Sequence, residues 1–586
     1  MYGVIAFEGT DFSLFENACS VATNSGAHVK VIVSTGNCRI AIMGEAEALA
    51  HDSQAAWFGS AAQESFHSSQ GVAALLDGAP DEVVAVGVHN DHLVLAAGRG
   101  NHRLFTYTAP GGVVVSTSLS ILARSSHVAL DRSYEDFLLG FAFLPLPRTP
   151  YMGIQAVQPG TRVSGTVVQN IAAPAIEAAP SVSFTEAIPQ LRDRFFGALE
   201  EMVGSEKKHA VLLGGFDSML VAASLRKMGH EVHTYTYSFN DPEFDQRNVD
   251  FFVNEFGIHH HPVTITPQII AENLKSFSTY FFQPGALAHY QIHTIVASQQ
   301  IAKDGHSKIF TGDGCDALFL SFPTVNRRAA VNKRLEALPD WLIRAAMTPL
   351  KTKASERYLG HMGRTMRSML DNMLLEEPAR GHLPNRYLDD YALSLLRADG
   401  APPQAESVRA IRDRLAEPVN GQIGSRRAFH GNGLTAQSKV KVDGCVAATG
   451  LPHISPNIRP AFRSFVSGLP IDFLKKQDDS PATNGKEILV AMVREFGLLP
   501  EVIINQAKQS PSDSPLNKWF QHDIRVDVLQ QLEDLPFEWN KKYVDTILRD
   551  KVAENWYRDK VTINKQTMQA ICILATYASF NRLVHE

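Results

Sequence analysis

A short apolar strand that runs directly into two glycines, an aspartate and a serine, and from there into an apolar helical repeat, leaves a chain few options. Val211-Leu212-Leu213-Gly214-Gly215-Phe216-Asp217-Ser218 has this form, and Met219 to Leu225 carries helical spacing towards a stop at Gly229. Glycine lets backbone N–H groups approach an anion closely, and the first turn of a helix adds unpaired donors and the positive end of its dipole. Such a turn receives a phosphate. Asp217 would repel that ligand unless a divalent cation lies between them, so the stretch reads as a nucleotide–magnesium site. Taken alone, a Gly-Gly turn is also an ordinary strand–helix connection.

A second stretch narrows the choice. Ser307-Lys308-Ile309-Phe310-Thr311-Gly312-Asp313-Gly314-Cys315-Asp316-Ala317-Leu318-Phe319 is again a short strand, a glycine-rich turn with two carboxylates, and an apolar helix start. Two such turns at one end of a parallel sheet would converge on a single crevice, where α/β folds bind ligands. Asp217 and Asp316 would then share a metal.

These stretches resemble the asparagine synthetase superfamily. Gly214-Gly215-Phe216-Asp217-Ser218 looks like its pyrophosphate loop, and Thr311-Gly312-Asp313-Gly314-Cys315-Asp316 like its second, metal-bearing turn. Gly485-Lys486-Glu487-Ile488-Leu489, Leu499-Pro500, Lys508-Gln509 and Trp519 resemble its closing segment, in which a lysine stabilises the reacting phosphate. The resemblance implies ATP and magnesium as cofactors. It places Leu212, Leu213, Gly214, Gly215, Asp217, Ser218, Ser238, Thr311, Gly312 and Lys508 around the nucleotide, Asp217 and Asp316 on the metal, and Asp313 and Lys508 in catalytic positions, with His453 a further catalytic candidate where the chain departs from the family. The serine that usually opens the pyrophosphate loop is Leu213 here, which removes one hydrogen bond worth on the order of 1 kcal/mol. ATP binding should survive, weakened.

At 586 residues the chain is too long for one ordinary core and suggests two domains. Its 55 basic and 61 acidic residues leave a net charge of −6, which implies no general attraction to nucleic acid or to membranes. The 5 cysteines are scattered without paired spacing, against a disulfide framework and in keeping with a reducing cytoplasm. Neither a signal peptide nor a bilayer-spanning apolar run is evident, so a cytoplasmic location is expected.

The first 175 residues read as β-rich, with β-prone runs from Tyr2, Val29, Glu82, His92, Arg103 and Val113 separated by turn residues. By resemblance this is an Ntn-type αββα sandwich, the class II glutamine amidotransferase-like domain of the family. That domain uses an N-terminal cysteine whose own amino group acts as base. Here Tyr2 stands in the second position, and a phenol cannot do that chemistry, so the domain reads as a degenerate glutaminase kept as scaffold. An unrelated β domain is the alternative. An Ala/Pro-rich linker from Asn170 to Pro180 then leads to the second domain, residues 185–586. The expected fold there is α/β: a parallel-sheet, adenine-nucleotide α-hydrolase-like synthetase domain with helical elaboration. Phe184 to Met202 and Glu243 to Phe256 read as helices, Glu231 to Ser238 and His259 to Thr264 as strands. His259-His260-His261 suggests a metal, but neighbours on a strand point to opposite faces, so the three cannot all converge on one ion.

Asp313 sits where relatives carry a residue that helps chemistry on the acceptor, or it is a helix cap. Cys315 is a small residue in a turn and not a nucleophile. Arginine-rich helical sequence with Pro breaks runs from Arg327 to about Leu415, where the resemblance is loose. Around Asp443 to Pro456 relatives carry an arginine and a glutamate that this chain lacks, having instead Lys439, Lys441, Asp443, Gly444 and His453-Ile454-Ser455-Pro456. His453 is a structural histidine or stands in for the missing acid–base group.

The combined reading is an ATP-dependent cyclase that adenylates a carboxylate and closes it onto an amine of the same molecule. Among superfamily branches lacking the cysteine, the lasso peptide cyclases fit best. They join an Asp or Glu side chain of a precursor peptide to its N-terminal amine, and a leader peptidase and leader-recognition protein are expected partners. β-Lactam or carbapenam synthesis, ammonia-dependent asparagine synthesis and a non-catalytic nucleotide-binding scaffold are the alternatives.

Overall fold

The structure is a computed structural model. It describes residues 1–45, 49–59, 83–97, 103–144, 146–158, 161–164, 167–170, 182–239, 247–285, 288–319, 321, 338–352, 390–399, 435–474, 486–505, 515–548 and 560–585, with 354, 355, 359, 363, 366, 367, 370 and 388.

Two six-stranded antiparallel sheets form the first part. β1 (Gly3–Gly9), β2 (Val29–Ser34) and β3 (Cys38–Met43) belong to one sheet, and β4 (Leu49–His51), β5 (Ala55–Gly59), β6 (Val83–His89) and β7 (His92–Ala97) to the other. β8 (Phe105–Ala109), β9 (Gly112–Ser116) and β10 (Ile154–Ala156) return to the first sheet, in the order β10-β8-β9-β1-β3-β2. β11 (Thr161–Ser164) and β12 (Val167–Asn170) complete the second, ordered β12-β11-β7-β6-β5-β4.

β1 shows why the run from Tyr2 is apolar throughout rather than alternating. Val4 and Ala6 pack with Ile40 and Ile42 against Phe58, Val84 and Leu95 of the facing sheet, while Ile5 and Phe7 turn outward under the helix Ser13–Asn24. A strand covered on both faces needs apolar side chains in both parities. The sequence reading gave no helix between Phe7 and Val29. Phe15, Ala18 and Ala22 supply the helical spacing that buries it.

The second part begins with the helix Phe184–Val203. Its start follows from a capping box, in which Ser183 Oγ accepts from the Glu186 N–H and Glu186 Oε2 accepts from the Ser183 N–H. β13 (Lys208–Leu212), β14 (Glu231–Ser238), β15 (His259–Thr264), β16 (Ile309–Phe310) and β17 (His453–Ile454) form an all-parallel sheet in the order β15-β14-β13-β16-β17. The helix Phe216–Lys227 follows β13, Arg247–Phe256 follows β14 and Ala288–Lys303 precedes β16. β14 and β15 have the bounds expected of them. Of the helix expected from Glu243 to Phe256, Arg247–Phe256 is helical, and residues 243–246 lie outside the described residues.

The sheet order sets the site. β13 pairs on one side with the next strand in sequence and on the other with β16, so the direction of winding reverses between β13 and β16. Loops leaving the carboxyl ends of those two strands diverge to opposite faces and open a crevice. Both glycine turns leave the sheet there.

The two parts share a hydrophobic core. Ile5, Phe7 and Leu122 belong to one cluster with Phe277, Phe281, Trp519 and Ile571, Tyr577 and Phe580 of the final helix, Lys560–Leu583. Tyr151 Oη donates to the Phe580 carbonyl at 3.0 Å, and the Tyr2 N–H to the Ala447 carbonyl at 3.0 Å. Buried Glu135 accepts from Arg397 Nη2 at 2.7 Å and from Tyr577 Oη at 3.0 Å. Most of the elaboration expected from Arg327 to Leu415 and the linker after Asn170 lie outside the described residues.

Candidate functional site

The first turn is assembled around Ser218. The Gly214 and Gly215 N–H groups both donate to its Oγ, at 2.8 and 3.1 Å, and the hydroxyl donates back to the Gly215 carbonyl at 3.0 Å. A Cβ added at Gly214 or Gly215 would meet nothing within 4 Å. The loop is therefore an open cradle whose donors converge on one oxygen, the form of a phosphate site. Leu212 ends β13. Leu213 has its N–H on the Tyr235 carbonyl and its side chain in the core, so neither is offered to a phosphate. No signal in the sequence distinguished that backbone commitment from a free donor.

The second turn is packed against the first. A Cβ on Gly312 would lie 2.7 Å from Asp217 Cβ and 2.7 Å from the Ser218 nitrogen, so only glycine allows this approach. The Thr311 N–H bonds the Ile454 carbonyl, and Ser455 Oγ and Asn457 Nδ2 donate to the Asp313 and Gly312 carbonyls at 2.7 and 3.2 Å. The segment after β17 thus holds the turn in place.

Asp217 and Asp316 meet on one cation, the ammonium of Lys486. Its Nζ bonds Asp217 Oδ1 and lies 2.9 Å from Asp316 Oδ1. Burial opposes the charge on Lys486, but the two carboxylates hold its ammonium well above the usual lysine range. Its backbone is left-handed, with φ +67°, uncommon for a residue with a side chain and a mark of sites where the surroundings dictate conformation. Two carboxylates within reach of a single ammonium are also within reach of a single divalent cation, so the donor set fits magnesium. Cys315, buried beneath them, has its thiol pushed well up by burial and by Asp217, which leaves it protonated.

A second buried pair flanks the first. Lys441 Nζ lies 2.5 Å from Asp313 Oδ1 and 3.3 Å from Tyr290 Oη. Burial lowers the Lys441 ammonium while Asp313 raises it, with a net upward shift. Tyr237 and Tyr290, both pushed up by burial, extend this chain of polar groups inward. Asp313 faces a cation in addition to standing at the start of the helix Cys315–Leu318, where no side-chain cap is made.

His453 stands apart from these pairs. It is buried in β17 with Nε2 3.1 Å from Ser298 Oγ, on the side of the helix Ala288–Lys303. The polar group that reaches Asp313 is Lys441. Ser238 closes β14 at the same edge as the turns, with its carbonyl accepting from Ile265. Lys508 lies outside the described residues, as do Gly485 and Gln509.

In the sequence Lys486 and Lys441 stand out only as members of motifs, and Tyr290 carries no mark of a role. These groups meet across separations such as 269 residues for Lys486 and Asp217 and 128 for Lys441 and Asp313, which no local pattern records. The one available signal was Lys441 among the apolar residues Val440, Val442 and Val446, where burial requires a counter-charge.

A profile of the family described as asparagine synthase matches residues 190–578. No curated protein matches the chain. Among solved structures, the NMN synthetase from Francisella tularensis is similar at 16% identity, with a TM-score of 0.19, over 24% of this chain and 60% of that one.

Proposed function

This chain belongs to the asparagine synthase family, and from that premise we propose that it is an ATP-dependent, AMP-forming carbon–nitrogen ligase that closes an amide within one substrate, as a lasso peptide cyclase does. The observation that carries the reading is the convergence of Asp217 and Asp316 on one cation position beside the open Gly214-Gly215 turn.

A carboxylate cannot be attacked by an amine at neutral pH because its leaving group is too poor. Joining it to AMP solves this. The Gly214 and Gly215 N–H groups and Ser218 bind the departing pyrophosphate, exchanging the internal bonds to Ser218 Oγ for bonds to phosphate oxygens. Magnesium, held by Asp217 and Asp316, would neutralise charge on that pyrophosphate. Lys486 then turns from the two carboxylates to the phosphate, with Lys508 as a second cation by resemblance. On the acceptor side, Asp313 accepts the proton the attacking amine must lose, and Lys441 stabilises its charged form until then.

The intramolecular amine is supported by the residue that leads into β1. Tyr2 packs its ring on Gly44 and offers no thiolate for releasing ammonia from glutamine. On this reading the two antiparallel sheets are an Ntn-type domain, residues 1–175, kept as a scaffold whose core continues into the synthetase domain, residues 185–586. The substrate is a precursor peptide with an internal Asp or Glu, and a leader peptidase with a leader-recognition protein is needed to expose its amine.

The test is mass spectrometry after incubation with ATP, magnesium and three acceptors: leaderless peptides, a β-amino acid, and aspartate with ammonia. AMP together with loss of one water mass from a peptide, abolished by Asp217→Ala or Asp316→Ala, supports the cyclase. AMP only with the second or third acceptor replaces it by the β-lactam or asparagine-forming reading. No AMP with any acceptor favours the nucleotide-binding scaffold.

A further inference from the structure

Imidazole is concentrated at the end of the parallel sheet opposite the nucleotide turns. His233 of β14 is in register with His259 of β15, and His261 follows two residues later on the same face. Glu231 lies two residues before His233 and shares its face. His260 obeys the parity argument and turns away, its Nδ1 and Nε2 3.0 and 3.2 Å from the hydroxyls of Thr234 and Thr236. Parity removes one histidine from the cluster, and the neighbouring strand supplies another. This is why three adjacent histidines alone were a poor guide.

The remaining groups are close enough to share an ion. One donor atom each from Glu231, His233 and His259 lies within 4.8 Å of the others. His233 Nε2 is 2.7 Å from Glu231 Oε1, and its ring stacks on His259 with centroids 4.9 Å apart. His233 Nδ1 is 2.9 Å from His261 Nε2, and His306, just before β16, packs edge-on with ring centroids 5.3 Å apart.

We propose that Glu231, His233 and His259 form a transition-metal site of the imidazole–carboxylate class, suited to zinc and independent of the nucleotide crevice. Two imidazoles and one carboxylate are a borderline donor set that favours such ions over magnesium. With His233 Nε2 on the metal, its Nδ1–H donates to His261, the outer hydrogen bond that fixes the orientation of metal-bound histidines. Ser238, at the other end of β14, lies five residues beyond His233, roughly 16 Å at about 3.3 Å per residue, so the ion takes no part in the chemistry. It ties the edge strand β15 to β14, adding to the backbone ladder and to the side-chain hydrogen bonds that His260 and His261 make across the two strands.

The experiment is a cobalt(II) titration of the full chain, free of affinity histidines and stripped with a chelator, read by visible absorption and by melting temperature, with zinc as competitor. One equivalent should develop ligand-field bands, be displaced by zinc and raise the melting temperature. His259→Gln and Glu231→Gln, both at exposed side chains, should weaken cobalt binding at least tenfold while leaving nucleotide binding unchanged. Asp217→Asn with Asp316→Asn should leave the cobalt bands in place. Absence of bands in the unaltered chain, their persistence at full affinity in His259→Gln, or their loss in the double aspartate variant would each overturn the proposal.

Discussion

Replacing Lys486 by methionine separates what this residue does for the fold from what it does for chemistry. Methionine keeps the length and apolar stem and removes the charge. The Lys486–Asp316 contact of 2.9 Å corresponds to about 6 kcal/mol of attraction at an effective dielectric of about 20, before burial is counted against it. Desolvation of the ammonium offsets much of that, and measured losses on breaking a buried pair are about 3–5 kcal/mol. Asp217 and Asp316 keep side-chain exposures of 20% and 29%, so the low end applies.

Lys486→Met should therefore lose about 3 kcal/mol in the presence of a chelator, a fall in melting temperature of roughly 4 °C at the unfolding entropy of a domain of about 400 residues. Magnesium should restore it. In the unaltered chain magnesium must displace an ammonium from the same two carboxylates, and in the variant it meets them unpaired, so its half-saturating concentration should fall. ATP–pyrophosphate exchange should fall about a hundredfold at saturating magnesium, as for the loss of one donor to a developing charge. Scanning fluorimetry against magnesium and the exchange assay read the two effects separately. A variant with unchanged stability under chelator and an unchanged magnesium response would refute the assignment of Lys486 to the cation position.

Other expectations follow from the same geometry. Gly312→Ala puts a Cβ 2.7 Å from backbone and side chain of the first turn, so ATP affinity should fall at least tenfold with circular dichroism unchanged. Lys441→Met should cost up to about 3 kcal/mol by leaving the half-buried Asp313 carboxylate without its cation, and should abolish amide closure while pyrophosphate exchange continues, which single-turnover analysis with a peptide would reveal. Burial, with the neighbouring His230, pushes the His209 imidazole down to about 4. The unfolded chain takes up this proton near pH 6.5 and the folded chain does not until about pH 4. Stability contributed here is therefore present above pH 6.5 and lost as pH falls towards 4, and His209→Gln should flatten that part of the melting-temperature profile.

The strand bounds of β14 and β15 were legible because a half-buried strand writes its period directly into the sequence. The helix Ser13–Asn24 was missed because its buried face is made of Phe15, Ala18 and Ala22, a weak apolar stripe among polar residues. The glycine turns were legible as turns, yet the need for glycine at 312 comes from the other turn's backbone, which sequence spacing does not contain. His453 drew attention by its place in a motif, whereas Lys441, one helix earlier, makes the contact with Asp313.

The sequence by itself determined the two glycine turns, the repeating strand–helix order and the residues able to carry a phosphate and a divalent cation, because these depend on backbone freedom and local period. Tertiary structure alone decided that Asp217 and Asp316 face one ammonium, that Asp313 is paired with Lys441, and that Glu231, His233 and His259 gather at the far edge. Each of these joins groups from separate strands or helices. Such meetings are fixed by strand order and by burial of charge with counter-charge, quantities that belong to the folded chain as a whole.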